Sequence, residues 1–346
     1  MNKNKPKRLL AYIAVGSVLA LLTFFILMVA SRIQGPEDEV KIRLKWLANA
    51  GFIGELYADN YGIYVEEGLD VKVLPGGPEK DAIRDLELGN VQFAVASADQ
   101  VIRALAKGAD IVVLAQIYQK NPVQWIYRRR GDKKYETTKD LVGAKVGITI
   151  GDNDEMIMKA LLRLDGVNED ALDLVSVKYS FAKFVTGELD LFPVYVNTQG
   201  VTLERDLDRE QESVDFFDPE ANGVSFVANS LVTSGRLMKA KPKLVESFVT
   251  ATLRGWATAL DPNNEALTLK ALERHVEMTT GGSVEEFRKE LVQQIRRTRK
   301  LVVIEGRPIG RIDSAAWRQT EEIMVRQGLV KEVAVEGALN RSFVRD

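Results

Sequence analysis

The chain has 346 residues, is 46% hydrophobic and 28% charged, and carries a formal net charge of −2. That length sets a prior of about two domains, and the composition supports buried cores rather than disorder. The charge balance offers no basic stripe for nucleic acid, and the absence of cysteine excludes disulfides, thiolate metal sites, thiol catalysis and a lipid-modified N-terminal cysteine.

The first element is a candidate membrane segment. MNKNKPKR holds four cations, and Leu9 to Ala30 then runs 22 residues without a charge. That exceeds the roughly 7–15 residues of a signal-peptide core and meets the roughly 20 needed to cross a bilayer as a helix. The flank beyond it, QGPEDE, is mostly acidic, and the cation bias sets residues 1–8 inside and everything after Arg32 outside. VAS (Val29 to Ser31) is a small-residue stretch that a signal peptidase could cut, so a single-pass anchor and a cleaved signal both stand. Either way the remainder is exported. Five of the 47 cations lie in residues 1–34, which hold no acid, so the remainder has 42 cations against 49 acids, a net charge of −7. That suits a soluble acidic body.

After the linker IQGPEDE, strand-like and helix-like segments alternate. VKIRLKW reads as a strand, WLANAGFIGE as the turn after it, and ELYADNYGIYVEE as a helix closed by Gly68. DVKVLP is a strand, GGPEKDAIRDLELG a glycine turn and short helix, VQFAVAS a strand, ADQVIRALAKG a helix. IVVLAQIY is a continuous apolar run, as in a strand buried on both faces. This rhythm predicts βαβ units and a mostly parallel sheet. RRRGDKKYETTKD then breaks the pattern as an exposed loop or boundary. A second series follows: AKVGITI, the helix NDEMIMKALLRLDG, DLVSVKY, the helix FAKFVTG, and LDLFPVYV. From about Asn229 the chain reads as mainly helical. The single histidine, His275, lies among helix formers in ALERHVEM and reads as a helix-surface or partly packed residue; a multi-histidine metal site is impossible.

Open α/β sheets bind ligands beyond the carboxyl ends of their strands, and two facing lobes make a cleft. The segments just after strands are therefore the site candidates. PGGPE is a glycine turn whose N–H groups suit an anion, but it lacks the ending of a nucleotide-phosphate loop. GDND places carboxylates at a helix start, where they favour the dipole and compete with an anionic ligand. VYVNTQG offers a stacking tyrosine and a row of amides and hydroxyls. Glycines 51 and 54 read as a turn that lets the backbone approach a ligand. No nucleophile elbow, zinc motif or dinucleotide fingerprint is present, so the pattern points to holding a ligand, with no catalytic residues, cofactor or metal.

The order of these segments resembles the bacterial solute-binding proteins of ABC importers grouped with the thiamine-pyrimidine synthesis proteins. The likeness is carried by GFIGELYADNYGIYVEEGLDVKVLPGGPE, LELGNVQFAVASADQVIRALAKGADIVVLAQIYQKNP, LVGAKVGITIGDNDEMIMKALL, TGELDLFPVYVNTQG, KPKLVESFVTATLRGWATALDPNNEA and IDSAAWRQTEEIMVRQGLV. It implies an α/β, two-lobed type II periplasmic-binding-protein fold behind the N-terminal transmembrane or signal segment. The expected divisions are 1–34 for tail and anchor, 35–130 plus 229–346 for lobe one, and 131–228 for lobe two. Carried over by position, Trp46 and Asn49 contact ligand from lobe one, and Gly76, Gly77 and Pro78 form a turn beneath it. Ser97, Ala98 and Asp99 stand at a strand end beside it. Gly151, Asp152 and Asn153 close from lobe two with Tyr195 opposite, and Asn197 and Gln199 add polar contacts.

The resemblance implies an extracytoplasmic, monomeric binding component that delivers a small planar heterocycle, a thiamine-pyrimidine precursor or a riboflavin-like solute, to an ABC permease. The alternatives are a binder of an alkanesulfonate or similar small anion, and a ligand-sensing receptor domain. A pyrimidine-synthase-type enzyme ranks last, because that chemistry uses a cysteine-rich segment and a histidine. One departure is local: where pyrimidine binders of the family carry Asn-Glu-Pro, this chain has Thr198, Gln199 and Gly200, replacing a carboxylate with an amide.

Overall fold

Alternation in EVKIR buries Val40 and Ile42 and leaves Glu39 exposed, making Glu39–Arg43 a strand, β1, with one face in the core. The computed structural model describes residues 39–178, 180–277 and 283–344, so the N-terminal charge-free segment and the linker up to Asp38 lie outside the described residues. Among the described residues no helix is long and apolar enough to cross a membrane.

The strands are β1, β2 (Asp70–Leu74), β3 (Phe93–Ala96), β4 (Ile111–Gln116), β5 (Val123–Arg128), β6 (Lys145–Ile148), β7 (Asp173–Ser176), β8 (Leu191–Tyr195), β9 (Val214–Phe217) and β10 (Ser230–Ser234). The helices are α1 (Ile53–Asn60), α2 (Ile63–Glu66), α3 (Ala82–Glu87), α4 (Ala98–Ala106), α5 (Asn153–Leu164), α6 (Ala182–Val185), α7 (Gln199–Arg209), α8 (Gly235–Ala240), α9 (Pro242–Ala259), α10 (Glu265–Glu273), α11 (Val284–Val302) and α12 (Ser314–Arg326). They build two five-stranded sheets with orders β2-β1-β3-β10-β4 and β7-β6-β8-β5-β9.

Both sheets are mostly parallel, as expected, with four strands running one way and one reversed. In the first, β1 pairs parallel with β2 and β3, while β10 inserts antiparallel between β3 and β4. In the second, β6 pairs parallel with β7 and β8, while β5 lies antiparallel between β8 and β9. Each sheet thus receives one reversed strand where the chain enters it from the other sheet. The region from Asn229 onward is mainly helical, as expected, but its first segment, SLVTS, completes the first sheet as β10. VQWIYR pairs with β8 and β9, so the chain passes into the second sheet at 117–122, ahead of β5.

The two passages between sheets are stitched together. Ile117 and Tyr118 donate their N–H groups to the Asn229 carbonyl at 3.0 and 3.1 Å, and the Asn121 side chain donates to the Phe226 carbonyl. One core lies under α1, α2, α9, α10 and α11 on the first sheet. A second runs without interruption from α3, α4 and α12 to β5, β6 and α5, so apolar packing joins the two halves. A third fills the outer face of the second sheet against α6 and α7.

Gly54 does not face a ligand. A Cβ there would stand 2.1 Å from the Trp256 ring, so its role is to let α9 lie directly on α1.

Candidate functional site

A cavity of about 640 Å³ opens between the sheets. Its walls come from the carboxyl ends of parallel strands: Lys45 and Trp46 after β1, Gly77 and Pro78 after β2, Thr149 after β6 and Tyr195 at the end of β8. The reversed strands meet the same edge through their starts, at Val123 and Asn229. Parallel strands all end on one edge, and two such edges facing each other enclose a ligand-sized space.

Among the described residues the lining has seven aromatic side chains: Trp46, Phe52, Tyr118, Phe181, Phe192, Tyr195 and Phe287. Its charged members among the described residues are Lys45 and Lys80 against Asp81, Asp152, Asp154, Glu277 and Glu290, with no arginine. Large flat faces with few cations favour a planar, weakly charged guest over a small anion.

Of the residues expected at the site, Trp46, Asn49, Gly77, Pro78, Asp152, Asn153, Tyr195 and Gln199 line the cavity. Asn49 is engaged locally: its Oδ1 accepts from the Gly51 N–H at 2.7 Å and its Nδ2 donates to the Leu47 carbonyl at 3.0 Å, capping a short 3-10 turn at Ala50–Phe52. Gln199 accepts from the Tyr195 N–H at 3.0 Å, so its side chain fixes the exit from β8.

The remaining expected residues do not line the cavity. Gly76 donates its N–H to the Trp46 carbonyl at 2.9 Å, and a Cβ there would stand 2.1 Å from the Leu44 carbonyl oxygen; glycine is what lets this turn press on β1. Ser97, Ala98 and Asp99 are buried in the α4 N-terminus, where the Ser97 hydroxyl donates to Asp99 at 2.6 Å, and the next residue, Gln100, reaches the cavity instead. Gly151 is exposed at a positive φ of 87°. Asn197 is fully buried and donates to the Tyr118 hydroxyl and Thr298 Oγ1, both at 2.9 Å, which ties β8 to α11.

Several lining groups lay beyond the sequence signals. Lys45 donates to the Tyr195 hydroxyl at 3.0 Å, and Asn153 reaches the same oxygen at 3.4 Å. Burial opposes the charge on Lys45, but Tyr195, Asp99 and Asp152 outweigh it and raise the pKa, keeping the ammonium protonated. Asp154 accepts from the Thr149 N–H at 2.6 Å; burial first, and the Asp152 charge with it, push its pKa up to about 7. Glu290 reaches the cavity from α11, held by Arg205, by Thr202 Oγ1 at 2.5 Å and by Gln294 at 3.2 Å. Val276 and Glu277, next to His275, also line it, whereas His275 itself is exposed and bonds Asn60 at 2.8 Å.

A family model described as NMT1/THI5 like matches residues 49–266, well over half of the chain. The chain belongs to the NMT1/THI5-like family. Among curated relatives, this family member is 22% identical to the formylaminopyrimidine-binding protein of Halalkalibacterium halodurans, over 87% of this chain and 91% of that protein. It is 24% identical to the riboflavin-binding protein RibY of Chloroflexus aurantiacus, over 91% of this chain and 88% of that one. Among solved structures, the periplasmic aliphatic sulphonate binding protein SsuA of Escherichia coli superposes with a TM-score of 0.68 at 15% identity, covering 89% of this chain and 94% of the other. The NMT1/THI5-like chain therefore has the α/β periplasmic-binding-protein fold.

Proposed function

We propose that this protein is an extracytoplasmic solute-binding protein that holds a small planar heterocycle in the cavity and delivers it to an ABC permease. The observation that carries this reading is the aromatic-lined space at the facing strand ends, with Trp46 from one sheet and Tyr195 from the other. The relatives named for formylaminopyrimidine and riboflavin binding support it. In this reading the first sheet with its helices is one lobe, the second sheet is the other, and 117–122 and 218–229 form the hinge. Residues 1–34 export the binding domain and, uncleaved, tether the monomer beside its permease. The guest is bound and released rather than transformed.

The sulphonate-type alternative is weaker on charge. Among the described residues five acidic side chains against two ammonium groups line the cavity, and no guanidinium is among them. A sulphonate would need donors that outweigh those acids.

Thermal unfolding of ligand-stripped protein tests the proposal, using hydroxymethylpyrimidines, formylaminopyrimidine, riboflavin, taurine, aliphatic sulphonates and nitrate. A cognate heterocycle at 100 times its Kd adds about 2.7 kcal/mol of stability. Stabilisation by sulphonates alone, or chemical turnover of a bound heterocycle, would overturn it.

A further inference from the structure

Three cavity residues from three elements converge on one oxygen. Lys45 follows β1, Asn153 begins α5 and Tyr195 ends β8. The Lys45 ammonium donates to the Tyr195 hydroxyl at 3.0 Å and lies 5.6 Å from that ring's centroid; the Asn153 Nδ2 donates to the same hydroxyl at 3.4 Å. A phenolic oxygen has one proton to give and room for about two donors. Both acceptor positions are thus occupied, and the hydroxyl proton must be directed to something else. Lys45 has three N–H groups and Tyr195 takes one; among the described residues the ammonium makes no ion pair. This corner of the cavity therefore presents hydrogen-bond donors, and they come from both sheets at once.

We infer that Lys45, Tyr195 and Asn153 form a donor cluster that reads an oxo edge of the bound ring, so that the preferred ligand is a planar heterocycle bearing a lactam or imide carbonyl. The inference rests on the solute-binding reading of this cavity and narrows it. A carbonyl satisfies several donors together, and a bond from an ammonium is about twice as strong as a neutral one. An amino-substituted edge sets N–H against N–H, and a protonated ring sets cation against cation. A fully anionic group is disfavoured for another reason: Asp99 and Asp152 already act on the Lys45 charge from close by. A neutral, polarised carbonyl matches donors whose charge is largely balanced. Gln199 Oε1 is engaged by the Tyr195 N–H.

The test is isothermal titration of the full chain, freed of co-purified ligand. The probes are three oxo rings (riboflavin, uracil and xanthine), 4-amino-5-hydroxymethyl-2-methylpyrimidine as a ring without a carbonyl, and an alkanesulphonate. At least one oxo ring is expected to bind ~30-fold more tightly than the aminopyrimidine. Lys45→Met should lose ~30-fold for that oxo ring and little for the aminopyrimidine, erasing the discrimination. Tyr195→Phe should lose ~10-fold, and Lys45→Arg should keep the preference because it keeps the donors. Melting curves of each variant separate lost folding from lost binding. Oxo-ring binding that survives both Lys45→Met and Tyr195→Phe, or a wild-type preference for the aminopyrimidine, overturns this inference and leaves the heterocycle reading in place. Binding of the sulphonate alone overturns both.

Discussion

Glu55 sits fully buried on α1, with the Trp256 Nε1 donating to one carboxylate oxygen at 3.1 Å and the other oxygen unpartnered among the described residues. Burial pushes its pKa from 4.5 up to about 7, against the smaller opposing effect of the Trp256 bond. For an acid whose folded pKa is raised, the folded state holds the proton more tightly. Stability is then fully present below the unfolded pKa and is lost as pH rises toward and through about 7. The share from Glu55 is about 3 kcal/mol between pH 4.5 and 7. Asp154 adds a second slope of the same sign. Urea unfolding from pH 4.5 to 8 should show stability falling, and Glu55→Gln should roughly halve the slope; an unchanged slope would refute a proton on Glu55. Nothing in GELYADN marks this residue, because a glutamate in a helix reads as solvated until the helix opposite is known. Trp46, Asn153 and Tyr195 were legible because they follow strands, and Lys45 was not, since a lysine at a strand end looks like a solvated cation. Trp46 packs only partly into the first core, so Trp46→Ala should weaken ligand binding ~10-fold or more while costing little stability. A large drop in melting temperature with unaltered affinity would make it a core residue instead.

At the scale of elements, the closest helix crossing is set by small residues. On α9, a Cβ at Gly255 would stand 2.5 Å from the Gly54 carbonyl and 2.8 Å from the Ala58 Cβ, and α1 answers with Gly54 beneath the Trp256 ring. These backbones touch because neither carries a side chain at the contact. Gly255→Ala should therefore destabilise the fold by about 1–3 kcal/mol through overpacking, despite alanine's better helix propensity. A gain in stability on denaturant unfolding would mean that the helices separate freely. The sequence shows the order of strands and helices because its apolar runs are long and bounded by glycine. It hides β5, β9 and β10 for a physical reason. VQWIYR, VDFF and SLVTS acquire their strand pairing from neighbours far away in the chain. The reversed strands were missed with them, and with them the point where the chain changes sheets. The residues of α11 that reach the cavity, Glu290 and Gln294, belong to an amphipathic helix whose pattern alone does not say which cavity it faces.

For the molecule as a whole, the two sheets are joined by the paired crossings, by the apolar core they share and, beside the cavity, by the helix pair α7 and α11. α7 belongs to the second sheet and α11 to the first core, and they meet along a ladder of opposite charges. Arg209 pairs with Glu286 at 3.1 Å, Arg205 with Glu290, and Arg297 with Glu204, while Asn197 bonds Thr298 at 2.9 Å. Any separation of the sheets on this side must break these contacts. The Arg205–Glu290 pair is the most sheltered of the three, since the Glu290 side chain is only 6% exposed, and Glu290 also lines the cavity. Exposed pairs contribute about 0–1 kcal/mol, but a half-sheltered pair left with one member stands to lose more, because a buried carboxylate is then uncompensated. Arg205→Met should thus favour separated sheets and quicken escape of a bound, uncharged ligand by about tenfold, equivalent to about 1.4 kcal/mol. Association, which begins with the cavity accessible, should change much less. Arg205→Met combined with Glu290→Gln should recover part of the loss, since the orphaned charge is gone. Stopped-flow dissociation of a fluorescent heterocycle measures this directly. The same ladder makes the wild-type dissociation rate rise with salt even when the ligand has no charge, because what the salt screens is the contact between the sheets. A rate indifferent to both Arg205 and ionic strength would assign closure to the apolar core shared by the two sheets and leave the ladder as surface chemistry.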